Sequence, residues 1–292
     1  MSQTDAERLI VGYIPHIARA PYAIAPERAD ELNSMTSNSK PWELVFNPGH
    51  ANFFARPNKS EIEVTFAALL SLWAVARAAL LIGNESMAAT RSGRSTLNSQ
   101  PGTAIAEAND LIRAANSLIS DPQAAWPRHL AKPNPLAAGR SQDWYVNNLF
   151  LGATGWSLLH EVAHVHLKHQ EITTDVLRKH QEHEADEWAT KWVFEHVGRG
   201  LTRDFRVFAT ATGIVWVGLI DNIRRGSATH PHASDRFIRC SNFFGTNPIS
   251  PGLELAAHIT KVFFDPHAAA PSVDMPQEAF DDALFAYSRL PR

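Results

Sequence analysis

The sequence predicts an α+β fold that is mainly helical and carries a small N-terminal β-sheet. Six prolines lie within the first 60 residues, which is too many for long helices in that part of the chain. The segment Glu61–Phe66 reads EIEVTF and alternates polar with apolar residues, as a half-buried strand does. From Asp143 to His169 there is no proline, and the apolar residues recur with helical spacing. Strands are therefore expected near the N-terminus and helices over most of the remaining chain.

The predicted sheet follows the proline-rich start. Trp42–Phe46 and Asn52–Arg56 flank the turn signal Asn47-Pro48-Gly49 and predict a β-hairpin, with Glu61–Phe66 as a third strand. An apolar helix is predicted at 66–82, and the Ser-, Thr-, Asn- and Gly-rich residues 83–102 predict a mobile loop. Further helices are predicted at about 103–120, 143–169, 180–197, 203–224, 252–264 and 277–289, the last of which opens with Pro276.

Net charge, cysteine count and the N-terminal segment exclude several classes of protein. The 292 residues include 27 Lys and Arg against 30 Asp and Glu, a net charge of −3 that gives no basic footprint for nucleic acid. Cys240 is the single cysteine, which excludes an internal disulfide and fits a reducing cytosol. The start MSQTDAERLI is polar and acidic and shows no signal peptide, so a cytoplasmic location is expected.

Two apolar runs, residues 66–82 and 207–220, require a membrane check. Both are shorter than the about 20 largely uncharged residues of a spanning helix, and Arg77 interrupts the first. They predict buried core helices and no membrane span.

Histidines are concentrated in one stretch, since seven of the 14 lie between His160 and His196. Within it, His160-Glu161-Val162-Ala163-His164 forms an HExxH motif on a predicted helix. The two histidines lie about 40° apart on one helix face, so both imidazoles can bind one ion. Glu161 beside them can take a proton from a metal-bound water, which is the arrangement of a hydrolytic zinc site. The five-residue motif also occurs by chance, so a third ligand is needed to distinguish a metal site from a chance match.

Two sources of a third ligand can be excluded on spacing. A metzincin would continue as HExxHxxGxxH, but Leu167 and Gln170 occupy the glycine and histidine positions. His166 and His169 lie about 200° and 140° from His164 on a continuing helix. Both are therefore expected to point away from the ion, into solvent or a second layer.

The next helix supplies carboxylates. Glu182 and Asp186 are four residues apart and share a helix face, whereas Glu184 lies about 200° from Glu182 and is the weaker candidate. One carboxylate can bind the ion, and the other can hold the second nitrogen of a ligand histidine. An acidic helix start that complements the helix dipole is the alternative for this segment taken alone.

A late segment, Thr229–Arg236, reads THPHASDR and places a His-Pro pair at a predicted helix entry. Its functional interpretation is that His230 donates to a developing oxyanion while Arg236 orients a carboxylate near the metal. A capped loop is the alternative.

Together, HExxH, the sequence Glu182-His183-Glu184-Ala185-Asp186 and the late His-Pro followed by Arg resemble the gluzincin metallopeptidases. More closely, the chain resembles the Lit-type phage-exclusion peptidases. The similar segments are Pro21–Leu32, Gly155–Phe194 and Thr229–Arg236. The resemblance implies a zincin-like helical metallopeptidase core whose zinc ligands are His160, His164 and Glu182, with Glu161 as the catalytic acid and base. His169 matches a position of importance in that family, which conflicts with its expected direction unless the helix ends before it.

The resemblance also implies a cytosolic zinc endopeptidase, since a member of that family cleaves translation elongation factor Tu during phage infection. Attack on an essential protein would be toxic, so an activating phage protein or peptide is expected. We predict one domain over residues 1–292, with a β-containing part at 1–66 and the zinc-site helical core at 143–240.

Two other classes remain open at this point. A di-iron oxidoreductase would need Glu-x-x-His on each of two helices, and the sequence around Glu161 supplies one. A catalytically silent metal-binding regulator would keep the same ligands, but it would have no need of Glu161.

Overall fold

A computed structural model describes residues 3–38, 42–94, 96–170, 173–223, 230–245, 247–264 and 275–289. The described chain is mainly helical and contains a three-stranded sheet, which confirms the predicted α+β class. The proline-rich start forms short helices, as expected from the spacing of its prolines. They are α1 (Asp5–Ile10), α2 (Ile14–Ile17), α3 (Ala20–Ile24) and α4 (Ala29–Asn38).

The sheet consists of β1 (Glu43–Asn47), β2 (Phe53–Arg56) and β3 (Glu61–Thr65) in the order β1-β3-β2. The predicted hairpin between the first two strands is wrong, because β3 lies between them, parallel to β1 and antiparallel to β2. β3 takes the centre because Ile62 and Val64 are fully buried, whereas every β1 residue keeps some exposure. This order leaves β2 at an edge of the sheet.

The long helices form the core and agree with the predicted ones to within a few residues at most ends. They are α5 (Phe66–Arg91), α6 (Ala104–Ser120), α7 (Gln142–His166), α8 (Asp175–Phe194), α9 (Leu201–Ile223), α10 (Ala233–Ser241), α11 (Pro251–Phe264) and α12 (Pro276–Ser288). The predicted loop at 83–102 is wrong over 83–91, which continue α5 as helix. Helix-forming Ala, Glu and Met in this stretch sustain it despite the polar residues.

α5 and α9 are long and apolar enough to cross a membrane by length and composition. In the fold, however, 94% and 78% of their most apolar windows are buried inside the protein. Both are thus core helices, which agrees with the prediction.

α7 is the central helix, since it packs against α3, α5, α8 and α9. Ser141 caps its first turn by accepting a hydrogen bond from the Trp144 backbone N–H. Gly155 permits the close approach of α3, because a Cβ there would lie 2.6 Å from the Ala20 carbonyl oxygen. The motif-bearing part of α7 is therefore held on the inside of the molecule.

Candidate metal centre

α7 and α8 run antiparallel and contact each other through residues spaced four apart on each helix. His164 lies beside Glu182, His160 beside Asp186, and the Trp156 indole N–H donates to the Thr190 hydroxyl at 3.1 Å. Each turn toward the N-terminus of α7 therefore contacts the next turn toward the C-terminus of α8. This pairing brings the HExxH motif and the acidic stripe of α8 together, as their spacing predicted.

Three side chains converge on one point. The Nε2 atoms of His160 and His164 are 3.1 Å apart, and the Glu182 carboxylate oxygens lie 3.3 Å from His160 Nε2 and 3.6 Å from His164 Nε2. Ligands bound about 2.0–2.2 Å from a tetrahedral zinc are roughly 3.3–3.5 Å from one another, so the spacing fits such an ion. The three residues form a group that could hold a metal, and Glu161 is not part of it.

His160 is held from behind by a buried ion pair. Its Nδ1 lies 3.0 Å from Asp186 Oδ1. Arg236 donates from Nε and Nη2 to the two oxygens of the same carboxylate, at 2.8 and 2.7 Å. Asp186 is fully buried and Arg236 is 5% exposed, so this network lies in the protein interior. Asp186 and Arg236 therefore lie where the sequence predicted them, behind the ligand cluster.

His169 does not point away from the cluster, and the expectation based on a continuing helix is wrong. α7 ends at His166, and Lys168 takes a positive φ of 56°. The His169 N–H then donates to the His164 carbonyl and the Lys168 N–H to the Val165 carbonyl, which is a Schellman helix end. This places His169 Nδ1 2.8 Å from His164 Nδ1. Lys168 occupies a position usually taken by glycine, so the sequence carries no stop signal there.

Beyond His169 the chain of contacts reaches the surface. His169 Nε2 lies 3.4 Å from a Glu184 carboxylate oxygen, and the Glu184 side chain is 46% exposed. Glu184 is outside the three-ligand group, as its position on α8 predicted. His169 is buried and contacts a ligand histidine, so its place is the second layer around the cluster.

Glu161 faces the sheet and the cleft. Its Oε2 accepts a hydrogen bond of 2.7 Å from the Ala55 backbone N–H. The Thr65 N–H donates to the Asn52 carbonyl, so Asn52 is a hydrogen-bonded position of the β2–β3 pair. Hydrogen-bonded and non-hydrogen-bonded positions alternate along an antiparallel strand, so the backbone groups of Phe53 and Ala55 point away from β3. The outer edge of β2 therefore faces the HExxH motif, and its Ala55 N–H binds Glu161.

His230 lies at the rim of the same cluster. Its Nε2 is 3.6 Å from Glu182 Oε1, and its side chain is 42% exposed. α10 begins just after it, with the His232 side chain accepting from the Ser234 N–H as the cap. Thr229, the first residue of the late sequence segment, lies outside the described residues.

The electrostatics favour a cation between the three side chains. Burial opposes ionisation of Glu182, yet its hydrogen bond to His160 and the surrounding positive charges hold its pKa well below the usual range. Burial also disfavours charge on His160, but hydrogen bonds to Asp186 and Glu182 raise its pKa to about 10. Burial and the adjacent charge of His160 lower the pKa of His164 to about 3. In the metal-free protein Arg236 balances Asp186 and the protonated His160 balances Glu182, so a metal ion would take the place of the His160 proton.

Glu161 has a different environment. Burial raises the pKa of its carboxyl group to about 7, with the Glu182 charge adding to the effect and the Ala55 N–H opposing it. A carboxyl group with a pKa close to neutrality is suited to both accepting and returning a proton.

A cleft of about 520 Å³ opens over the cluster. β2 forms one wall, α9 forms another, and His230 and Arg178 lie at its polar side. The apolar part includes Phe53 and Trp216, whose rings meet edge to face at 5.4 Å. These walls and the Ala55 N–H could not be predicted from the sequence, because a backbone contact 106 residues distant from Glu161 leaves no sequence pattern.

The chain is similar to known peptidases. The family model described as Peptidase U49 matches residues 62–256, which include the whole cluster. The protein described as cell death peptidase from Escherichia coli (strain K12) is 26% identical over 228 residues, covering 75% of this chain and 76% of the relative. No solved structure matches the chain.

Proposed function

The chain belongs to the Peptidase U49 family, and from the convergence of His160, His164 and Glu182 beneath an open cleft we propose that it is a zinc-dependent endopeptidase of gluzincin-like type. Two imidazole nitrogens and one carboxylate oxygen are a ligand set of catalytic zinc, which keeps a fourth position open. The single observation that carries the proposal is the spacing of 3.1 to 3.6 Å among the three donor groups.

The roles of the side chains follow from what each one touches. His160, His164 and Glu182 would hold the zinc ion, which supplies a water of lowered pKa and polarises the substrate carbonyl. Glu161 accepts the proton of that water and returns it to the leaving amine, a role for which its raised pKa is suited. Asp186 fixes the imidazole of His160, and Arg236 fixes Asp186.

The edge of β2 supports a polypeptide as substrate. Phe53 presents its backbone groups to the cleft and Ala55 presents its carbonyl, since the Ala55 N–H binds Glu161. An extended chain can pair with such an edge as an added strand. His230, at the cleft rim near Glu182, is proposed to donate to the oxyanion that develops on the scissile carbonyl.

The biological setting is part of the same proposal. The Escherichia coli relative is described as a cell death peptidase, and cleavage of an essential protein is one way in which a peptidase can kill its own cell. Together with the resemblance of the sequence motifs, this supports translation elongation factor Tu as the substrate, an activating phage protein or peptide as the trigger, and antiviral defence in the cytoplasm as the role.

The proposal is tested with Glu161→Gln, because Glu161 is outside the ligand group. We expect the variant to keep one zinc per chain while hydrolysis falls by about 10²–10⁴-fold. New protein N-termini are mapped by mass spectrometry in the bacterial host after induction of wild type and variant, with and without phage infection. Elongation factor Tu fragments are expected with wild type alone.

Two further variants separate ligand loss from loss of chemistry. Glu182→Ala should empty the zinc site, whereas Glu184→Ala, two residues further on, should leave zinc nearly intact. His230→Ala should keep its zinc and lose about 10²–10³-fold in rate. Zinc binding by wild type with no new N-termini under either condition would instead identify a catalytically silent metal-binding regulator.

A further inference from the structure

Glu184 lies between two histidines at the surface end of the contacts that begin at His164. One of its carboxylate oxygens is 3.4 Å from His169 Nε2, and the other is 3.6 Å from His180 Nε2. We name these three residues the outer cluster. His180 and Glu184 are one turn apart on α8, whereas His169 follows the end of α7. No step of the proposed hydrolysis uses Glu184 or His180.

The outer cluster has the donor atoms of a metal site. Two imidazole nitrogens and a carboxylate oxygen suit zinc and similar divalent transition metals. Both nitrogen–oxygen distances are close to the roughly 3.3–3.5 Å that separates the ligands of a tetrahedral zinc ion. A pair of ligands one turn apart on a helix can bind the same ion, as in the HExxH motif itself. The side chain of His169 is 7% exposed, so one of the three donors is already fixed by the fold.

One side chain must move for the three donors to meet. In the described part of the chain, the ligand atoms of the candidate metal centre alone already lie within 4.8 Å of one another. His180 is the member of the outer cluster that can move, because its side chain is 65% exposed. Exposed side chains change rotamer rapidly, so the His180 ring can turn toward a metal without a change in the backbone.

We propose that His169, Glu184 and His180 form a second zinc site, weaker than the first, whose occupation opposes zinc binding at the candidate metal centre. The second site is weaker because an exposed side chain loses its rotational freedom when the metal binds. The site itself does not depend on the proposed endopeptidase function. The opposition rests on that function, since it requires zinc at the candidate metal centre.

The opposition follows from the hydrogen shared by two rings. The Nδ1 atoms of His164 and His169 are 2.8 Å apart, so one must donate and the other must accept. Zinc on His164 Nε2 leaves the hydrogen on His164 Nδ1, and His169 then carries its own hydrogen on Nε2. A metal on His169 Nε2 requires the reverse, because that nitrogen must be free of hydrogen and Nδ1 of the neutral ring then carries it. The two metal sites therefore demand opposite tautomers of the same pair.

Surplus zinc thus acts against the zinc ion of the proposed peptidase. Coupling between two binding sites is reciprocal, so each zinc ion weakens the binding of the other by the same factor. Couplings of this kind typically change an affinity by about 5–150-fold. The outer cluster is then a site through which a high concentration of free zinc lowers the metal affinity of the candidate metal centre.

The test of the site is a calorimetric zinc titration of the chelator-treated protein. Wild type should bind two zinc ions per chain, the second in a weaker step. Glu184→Ala and His180→Ala should each remove the weaker step and keep the tight one.

His129→Ala is the matched control. The side chain of His129 is 67% exposed and lies 3.3 Å from Asp110, so it forms a histidine–carboxylate pair like that of His180. The other cation near that carboxylate is Arg113, which cannot bind a metal. The control should keep both steps, and a weaker step lost from it would assign that step to scattered surface histidines and overturn the site.

Glu182→Ala tests the opposition between the two sites. Loss of the tight site frees His164 from zinc, so its Nδ1 can accept the hydrogen of His169. The outer cluster should then bind zinc about 5-fold or more tightly than it does in wild type. Glu182→Gln keeps the size of the side chain and replaces the alanine variant if that variant does not fold, which circular dichroism shows.

The possible results separate the second site from the proposed function. A single zinc step that Glu184→Ala and His180→Ala leave unchanged would overturn the second site and keep the peptidase. Two steps with equal weak affinities in wild type and Glu182→Ala would overturn the opposition. A single step that persists in Glu182→Ala but is lost with either outer variant would support the second site and overturn the proposed zinc peptidase.

Discussion

The two histidines of the candidate metal cluster are supported in different ways on its two sides. On the deep side, His160 contacts the fully buried Asp186, which Arg236 holds through two hydrogen bonds. On the shallow side, His164 contacts His169, which reaches the half-exposed Glu184. The deep support is a buried ion pair, whereas the shallow support ends in solvent.

Metal binding would determine which nitrogen donates and which atom accepts in each of these contacts. A histidine that binds through Nε2 carries its hydrogen on Nδ1, so His160 donates to Asp186 and His164 donates to His169. His169 must then accept at Nδ1 and carry its own hydrogen on Nε2, which faces Glu184. The deep histidine is thus oriented by a full charge and the shallow one by a neutral ring. We expect mutations on the deep side to have the larger effects.

The largest effect is expected for Arg236→Met. The Asp186 carboxylate would remain fully buried without its main partner, which costs about 3–5 kcal/mol of unfolding free energy. Urea unfolding of the chelator-treated protein measures this cost. Arg239→Met is the control, since the side chain of Arg239 is 49% exposed and lies 3.6 Å from Glu187. The control should lose no more than about 1 kcal/mol, and equal losses for both variants would contradict a special role of the deep pair.

The next effects concern metal affinity. Asp186→Asn and His169→Ala each remove the partner of a ligand histidine, and such changes typically weaken binding by about 10–100-fold. Asp186→Asn should lie at the upper end, because a charged acceptor is replaced by a neutral one. Competition with a zinc-chelating dye gives both constants, and His180→Ala, whose side chain is 65% exposed, is the control. A larger loss for His169→Ala than for Asp186→Asn would reverse the comparison.

The same two sides show how much the sequence could predict. Helical spacing put His160 and His164 on one helix face and Glu182 and Asp186 on another, and the family resemblance implied that Glu182 is the ligand among the carboxylates. On the shallow side the expected direction of His169 was wrong, because it depends on where α7 ends. Lys168 adopts the left-handed conformation without the glycine that would announce it, and this single residue turns His169 back toward His164.

The fold shows a similar limit. Helices with sustained apolar periodicity, such as α6 and α9, were predicted to within two residues. The strand order was not predicted correctly. The strand that gains most from burial takes the central position, and a turn between two consecutive strands does not by itself make them pair. Ile62 and Val64 are fully buried in the central strand β3, and this order leaves the outer edge of β2 facing Glu161.

The smallest effect is expected for Glu184→Gln. Glu184 is 46% exposed and lies 3.4 Å from His169 and 3.6 Å from His180, so solvent and salt screen its charge. Exposed ion pairs contribute about 0.2–1 kcal/mol, which limits the loss of zinc affinity to about fivefold. The effect should shrink at high salt and disappear in the His169→Ala background, because Glu184 acts on the metal only through His169. A loss as large as that of Asp186→Asn, or one that persists without His169, would mean that Glu184 reaches the ion by another route and that the two sides are equally demanding.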